Sequence, residues 1–222
     1  MPDDLWNNVD RIINDALLPA DEALDAVLAA SAAAGLPAIS VAANQGRLLG
    51  LLVGATKARR VLEVGTLGGY SAIWMARALP AGGRLVTLEY DAHHAEVARQ
   101  NLRLAGVADR VEVIGGAALD TLPGVAAAGK TFDLTFIDAD KEHNADYFTW
   151  ALRLATPGGV IIVDNVVRGG AIADPERTDP AVEGVRRLFE VMASAEGVES
   201  TAVQTVGTKG HDGFALAWVT GR

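Results

Sequence analysis

The chain has 222 residues, half of them hydrophobic, and its 28 acidic and 19 basic side chains give a formal net charge of -9. This charge disfavours nucleic acid and anionic lipid as partners, because both require clustered basic residues. Cysteine is absent, which excludes disulfides, thiol nucleophiles and thiolate metal sites and leaves oxygen and nitrogen as metal ligands.

The N-terminal part predicts three helices. Apolar residues recur at helical spacing from Leu5 to Leu17, a second helical run extends from Asp21 to Gly35, and a third spans Ala43 to Ala55. The first residues, Met1 to Asp4, are acidic where a secretory signal would be basic, so we expect a cytoplasmic protein. Gly35 interrupts the long alanine-rich stretch, which argues against a membrane segment.

After the third helix, short apolar runs alternate with segments of helical length. The runs are nearly continuous in apolar residues, as strands buried on both faces are. The predicted strands are Arg60–Val64, Arg84–Tyr90, Arg110–Ile114, Phe132–Asp138 and Gly159–Asp164, and the predicted helices between them are Tyr70–Ala78, Ala92–Ala105, Ala117–Ala128 and Glu142–Ala155. This alternation predicts a parallel sheet with right-handed crossover helices.

The C-terminal part predicts an antiparallel edge to this sheet. A polar loop over residues 168–179 and a helix over Pro180–Ala195 precede strands at Glu199–Val206 and Gly213–Val219, joined by a turn over Thr208–Gly213. The predicted fold class is therefore α/β: a Rossmann-like, seven-stranded, mostly parallel sheet with helices on both faces and an antiparallel C-terminal hairpin. We expect one domain over residues 1–222, with a helical cap at 1–42 covering the active site and a core at 43–222.

A strand, a glycine-rich turn and a helix start follow one another over Val61–Ser71. The glycines let the backbone approach a ligand at the carboxyl end of the first strand, where open α/β sheets bind nucleotides. From Gly65 the pattern is G-x-x-G-G, whereas pyrophosphate-binding dinucleotide turns have G-x-G-x-x-G. The turn therefore fits a pyrophosphate poorly.

Two carboxylates accompany this turn. Glu89 ends the second strand, where a carboxylate can accept hydrogen bonds from ribose hydroxyls. Glu63 lies inside the first strand, where it needs a partner such as the ammonium of a bound methionine moiety or backbone N–H groups. The turn alone is compatible with a simple tight bend, and Glu89 alone with a helix N-cap, but the combination favours a nucleotide site.

Acidic and amide side chains end the fourth and fifth strands. Because these strands are neighbours, Asp138, Asp164 and Asn165 are expected to converge at one edge of the crevice as hard oxygen ligands for Mg²⁺ or a similar ion. Capping of the following segments is the alternative for each strand taken singly. Lys141 lies three residues beyond Asp138, where it either extends to solvent or removes a proton from a hydroxyl whose pKa the ion has lowered.

These motifs together resemble the metal-dependent O-methyltransferases of the catechol and caffeoyl-CoA type. The likeness extends from about Ser40 to Trp218 and rests on four segments, Val61–Ser71, Glu89–Asp91, Phe136–Lys141 and Val163–Val166. The resemblance implies a homodimer that transfers a methyl group from S-adenosylmethionine, in line, to a hydroxyl of a small catechol-like or phenolic acceptor. The metal would chelate the acceptor's vicinal oxygens, and Lys141 would be the base.

The resemblance also implies a set of site residues. The metal, Mg²⁺ with Mn²⁺ or Ca²⁺ as alternatives, is expected on Asp138, Asp164 and Asn165. The residues expected to hold the cofactor are Val41, Glu63, Gly65, Thr66, Ser71, Glu89, Ala117 and Asp138. Acceptor contacts are expected from the N-terminal helices and the loop after Asn165, in which Arg168 meets either an acidic or phenolic acceptor or a surface carboxylate.

Three other functions share parts of this pattern. An NAD-dependent oxidoreductase would use the same sheet and Glu89, but it predicts a pyrophosphate turn and a hydride-transfer site. A methyltransferase acting on nucleic acid or protein would favour a basic face. A non-catalytic nucleotide-binding protein would not require Asp138, Lys141, Asp164 and Asn165 in combination. None of the four histidines has a partner at metal-ligand spacing in the sequence.

Overall fold

A computed structural model describes residues 2–221 as eight α-helices, seven β-strands and two short 3₁₀ segments. The helices are α1 (Pro2–Leu17), α2 (Glu22–Ala33), α3 (Ala43–Thr56), α4 (Tyr70–Ala78), α5 (Ala92–Leu104), α6 (Ala118–Ala127), α7 (Asn144–Leu154) and α8 (Pro180–Ser194). The strands are β1 (Arg60–Val64), β2 (Arg84–Glu89), β3 (Val111–Gly115), β4 (Phe132–Ile137), β5 (Ala155–Asp164), β6 (Val198–Gly207) and β7 (Gly210–Val219), and the 3₁₀ segments are Lys141–His143 and Arg168–Ala173.

The strands form one sheet in the order β3-β2-β1-β4-β5-β7-β6. The first five strands in this order, β3 to β5, are parallel to one another, whereas β7 pairs antiparallel with both β5 and β6. The predicted α/β fold with an antiparallel C-terminal hairpin is therefore confirmed. The order reverses between β1 and β4, and in such sheets the crevice at this reversal is where ligands bind.

The sheet separates two apolar layers, because successive side chains of a strand point to opposite faces. On β1, Leu62 and Val64 pack in the layer that contains α6, α7 and α8, while Val61 packs in the layer of α3 and α4. The central strands are buried on both faces, which explains their nearly continuous apolar sequences.

The hairpin is tighter than the sequence predicted. β6 and β7 are each ten residues long, and only Thr208 and Lys209 connect them. Gly210, directly after these two residues, has φ +85°, a left-handed conformation that glycine adopts without steric cost. The polar residues 211 and 212 were predicted to lie in the turn, but they pair with β6 instead.

The N-terminal segment reaches the crevice through one loop. Helix α1 packs on α3 and β6, and α2 packs on α4 and α5. The crevice wall on this side is formed by residues 39–41, between α2 and α3. Over residues 2–221, no helix combines the length and the apolar character that a membrane crossing requires.

Candidate active site

A cleft of about 860 Å³ opens at the carboxyl ends of β1, β2, β4 and β5. It contains most of the residues that the sequence singled out. The predicted site residues that line it are Val41, Gly65, Thr66, Ser71, Glu89, Ala117, Asp138, Lys141 and Asn165. Glu63 and Asp164 are buried and do not contribute to the lining.

The glycine-rich turn after β1 passes directly over the end of β4. Gly65 has φ +98°, and a Cβ built on it would lie 2.1 Å from the carbonyl oxygen of Asp138. The backbone amide of Gly65 donates to the carbonyl of Leu88, and that of Asp138 donates to the carbonyl of Val64. Glycine is therefore required at position 65 by both conformation and space, and this close approach fixes Asp138 relative to the turn.

Glu89 holds the same turn from the end of β2. Its Oε2 accepts hydrogen bonds from the backbone amides of Thr66 (3.0 Å) and Leu67 (2.7 Å), and its Oε1 accepts one from Asp91 (3.0 Å). Leu67 has φ +49°, a conformation that these bonds stabilise. The carboxylate lines the cleft and retains lone pairs for a ligand hydroxyl.

Glu63 is fully buried beneath the cleft, and its partners within the protein are two hydroxyls. Its carboxylate accepts hydrogen bonds of 2.6 Å from the hydroxyls of Ser71 and Thr87, and no backbone amide contacts it among the described residues. Thr87 lies directly opposite Glu63 on β2 and also bonds Thr66. Burial raises the pKa of Glu63 to about 8, although the two hydroxyls oppose the shift.

The second group of polar side chains lies at the ends of β4 and β5. The Nζ of Lys141 donates to the Oδ1 of Asp138 at 2.7 Å, and the lysine side chain is only 9% exposed. The alternative of a surface lysine is therefore wrong. Asp164 is the last residue of β5, and its side chain accepts a hydrogen bond from the backbone amide of Asn165, which has φ +57°.

Asp164 has a partner that the sequence did not reveal. Its Oδ2 accepts a 2.7 Å hydrogen bond from the Nε2 of Gln45, in the first turn of α3. Burial, followed by the negative charge of Asp138, raises the pKa of Asp164, with Lys141 opposing this. The two carboxylates are thus close enough to repel each other in a site largely shielded from water.

These residues fit a hard divalent cation. Two carboxylates and one amide oxygen donor at adjacent strand ends are the ligands that Mg²⁺ prefers, and a dication would offset the repulsion between Asp138 and Asp164. The pair is incompletely neutralised by Lys141, which bonds only Asp138. Histidine and cysteine, which zinc prefers, are not among these donors.

A third polar group lies on the cleft rim beside Lys141. Asp140 bonds the Nδ1 of His143 and accepts a 2.6 Å bond from the hydroxyl of Tyr147. The bond to Asp140 raises the pKa of His143. Ligand atoms of Asp140, Glu142 and His143 lie within 4.8 Å of one another, so the expectation that no histidine has partners at metal-ligand spacing is wrong for His143.

The first two polar side chains of helix α3, Asn44 and Gln45, both bond to other parts of the protein. Asn44 donates to the Oδ1 of Asp10 at 2.9 Å, and the Oδ2 of Asp10 accepts from the backbone amide of Thr208 at 2.8 Å. Asp10 is buried on α1, while Thr208 is in the hairpin turn. Through Asn44 and its neighbour Gln45, α1 and the hairpin are connected to Asp164.

The strand order and the cleft define a protein of the class I methyltransferase fold. Comparison with known proteins narrows this class. The family model for O-methyltransferase matches residues 18–217, so the chain belongs to the O-methyltransferase family. This confirms the resemblance found in the sequence and the assignment as an enzyme, and it gives no support to the oxidoreductase or the non-catalytic alternative.

Relatives match over nearly the full length. A catechol O-methyltransferase of Mycobacterium tuberculosis is 58% identical over 212 residues, covering 96% of this chain and 95% of the relative. Another, from Niastella koreensis, is 48% identical over 220 residues, covering 99% and 100%. The crystal structure of the O-methyltransferase TomG from Streptomyces achromogenes, in complex with SAM, has a TM-score of 0.95 at 51% identity, with 100% of each chain covered.

Proposed function

We propose that this protein transfers a methyl group from S-adenosylmethionine to a hydroxyl of a small catechol-like or phenolic acceptor, with a divalent metal. One observation carries the proposal: Asp138 and Asp164 converge at neighbouring strand ends with Lys141 bonded to one of them, directly beside the glycine turn and Glu89. The SAM complex of TomG and the catechol names of two relatives support the donor and the acceptor class.

The donor is proposed to occupy the part of the cleft between Val41, the glycine turn and Ala117. In this position Glu89 accepts hydrogen bonds from the ribose hydroxyls, while Ser71 and Asp138 face the methionine end. Glu63 lies beneath Ser71 and orients it: Glu63 accepts a hydrogen bond from the Ser71 hydroxyl, which leaves the Ser71 oxygen free to accept one from the ammonium of the methyl donor. Gly65 has no side chain, so the ligand can lie close to the backbone of the turn.

The acceptor is proposed to lie between Lys141 and Asn165. Asp138, Asp164 and Asn165 would hold the metal, which when bound supplies a Lewis acid that lowers the pKa of an acceptor hydroxyl. Lys141, in its neutral form, takes the hydroxyl proton onto Nζ. The acceptor oxygen then forms a bond to the methyl carbon as the carbon–sulfur bond of the donor breaks, leaving a neutral thioether and a protonated Lys141.

The proposal is tested by incubating the purified chain with S-adenosylmethionine and a catechol, with EDTA or with added Mg²⁺, and detecting methylated product by mass spectrometry. We expect product only with the metal. Asp164→Ala should abolish metal-supported turnover while retaining S-adenosylhomocysteine binding in calorimetry, whereas Asp109→Ala, which removes an exposed carboxylate far from the cleft, should leave turnover intact. Transfer at full rate in EDTA would reject the metal.

We also propose that the chain forms a homodimer through α1 and β6. Leu5, Val9 and Ile12 expose one apolar flank of α1, and β6 is an edge strand that pairs on one side only among residues 2–221. β6 is ten residues long and contains one charged side chain, Glu199, and long edge strands with few charges are normally covered. Light scattering should give twice 23.1 kDa. Ile12→Glu should give the monomer. Asn7→Glu, at an exposed position that faces away from Ile12, should leave the dimer intact, and equal masses for both variants would contradict this surface.

A further inference from the structure

The loop after β5 contains an unusual basic residue at the acceptor end of the cleft. Arg168 has φ +56°, a left-handed conformation that is strained for a long side chain, and two glycines with positive φ follow it. Strain of this kind persists where surrounding contacts impose it and occurs preferentially at functional sites. Arg168 lines the cleft together with Lys141 and Asn165.

The conformation is imposed from the hairpin. The Oδ1 of Asp212 accepts 3.0 Å hydrogen bonds from the backbone amides of Val167 and Arg168, and another from Gly213. The amide of Val166 donates to the carbonyl of Gly213. The backbone of the loop is thus fixed over three successive residues, and with it the direction of the Cα–Cβ bond of Arg168.

The Arg168 guanidinium has no partner in the part of the chain that the structure describes. Its side chain forms no hydrogen bond or ion pair with any residue between positions 2 and 221, although Arg168 is half-buried and the chain is strongly acidic. The lysine that lines the same cleft, Lys141, is by contrast bonded to Asp138. A half-buried guanidinium with five unused donors is suited to a planar carboxylate, which it can bind through two parallel hydrogen bonds.

We infer that Arg168 is a specificity-determining residue that selects acceptors carrying a carboxylate, so that the preferred substrates are catechols with an acidic substituent. This inference rests on the proposed function. Arg168 lies three residues beyond the proposed metal ligand Asn165, a separation of at most roughly 10 Å along the chain. The carboxylate is therefore held on the same ring as the reacting hydroxyls or on a short side chain.

The test compares two acceptors that differ only in charge, 3,4-dihydroxybenzoate and 3,4-dihydroxybenzamide. Their ratio of kcat/KM within one enzyme preparation is independent of how much of a variant is folded. The wild-type protein should prefer the benzoate, and Arg168→Gln should lower the benzoate-to-benzamide ratio by about 10- to 100-fold, the range for loss of a charge-assisted hydrogen bond. Arg168→Lys should restore part of the ratio.

Lys57→Gln is the matched control, because Lys57 is also a cation at φ +56° but lies at the end of α3, outside the cleft lining. It should leave the ratio unchanged. Calorimetry provides a second measurement: the benzoate should bind the wild-type protein with S-adenosylhomocysteine and Mg²⁺ at least 10-fold more tightly than the benzamide, and this difference should shrink in Arg168→Gln.

Equal ratios for wild-type protein and Arg168→Gln would overturn the inference, as would a wild-type preference for the benzamide. If catechols are methylated but the ratio does not depend on Arg168, only this inference fails. If no catechol is methylated under any metal condition, the proposed function fails first. The two failures are therefore distinguishable in one set of assays.

Discussion

Replacing Glu63 by glutamine should change how stability depends on pH. Between the ordinary pKa of 4.5 and the folded value of about 8, the folded chain keeps a proton on Glu63 that the unfolded chain has released. The free energy of unfolding therefore falls as pH rises through this window, by about 1.4 kcal/mol per pH unit and by about 5 kcal/mol in all. Glu63→Gln removes this dependence.

The amide can still satisfy its surroundings, since its carbonyl accepts from one neighbouring hydroxyl while its NH₂ group donates to the other. Because the amide does not titrate, any loss of stability from the altered hydrogen bonds is the same at every pH. Relative to the wild-type protein, Glu63→Gln should therefore gain stability steadily from pH 5 to pH 8. Other groups that titrate in the same range, including Asp164, contribute equally to both proteins and cancel in the difference.

Urea denaturation in EDTA, without donor, at four pH values measures this difference directly. Glu190→Gln is the control, because it makes the same substitution at an exposed position on α8. The reasoning is refuted if the stability difference between Glu63→Gln and the wild-type protein stays constant between pH 5 and pH 8. Binding of S-adenosylhomocysteine to the same variant reports separately on the proposed link from Glu63 to the donor.

Gly65→Ala should destabilise the fold by about 3 kcal/mol, because the new Cβ would overlap the carbonyl of Asp138 and alanine would be held at a left-handed φ. Gly54→Ala is the control, since position 54 on α3 has open space for a Cβ, and thermal unfolding should show it to be neutral or stabilising. Asp10→Ala should cost about 1–2 kcal/mol, because the Asn44 amide and the Thr208 backbone N–H both lose their acceptor at a partly buried position. Hydrogen exchange at the Thr208 amide should accelerate; unchanged protection there would contradict the assigned bond.

The sequence revealed those parts of the fold and site that depend on local pattern. Buried parallel strands have continuous apolar runs, so β1, β2 and β4 were predicted nearly to the residue. Asp138 and Asp164 were recognisable because polar residues directly after such runs must lie at the sheet edge. The glycine turn was recognisable because its spacing is itself a backbone requirement.

Contacts between distant segments could not be derived in this way. Gln45 is one polar residue in a helix, and nothing near it in the sequence shows that it reaches Asp164 over 119 positions. Thr87 was accessible in principle, since it is a polar residue in a buried strand and the β1–β2 register places it opposite Glu63. The tight hairpin was missed because the polar residues His211 and Asp212 suggested a turn, while pairing with β6 determines their conformation.

The pair of bonds at the start of α3 has a consequence for protein engineering. The predicted boundary at residue 42 invites exchange of the N-terminal segment between relatives to change acceptor preference. A graft from a relative without this aspartate removes Asp10 but keeps Asn44 and the Thr208 amide, so both donors lose their acceptor. Asn44 is the direct neighbour of Gln45, which bonds Asp164. A workable chimera must carry an aspartate at position 10, or replace the hairpin turn and the first turn of α3 together.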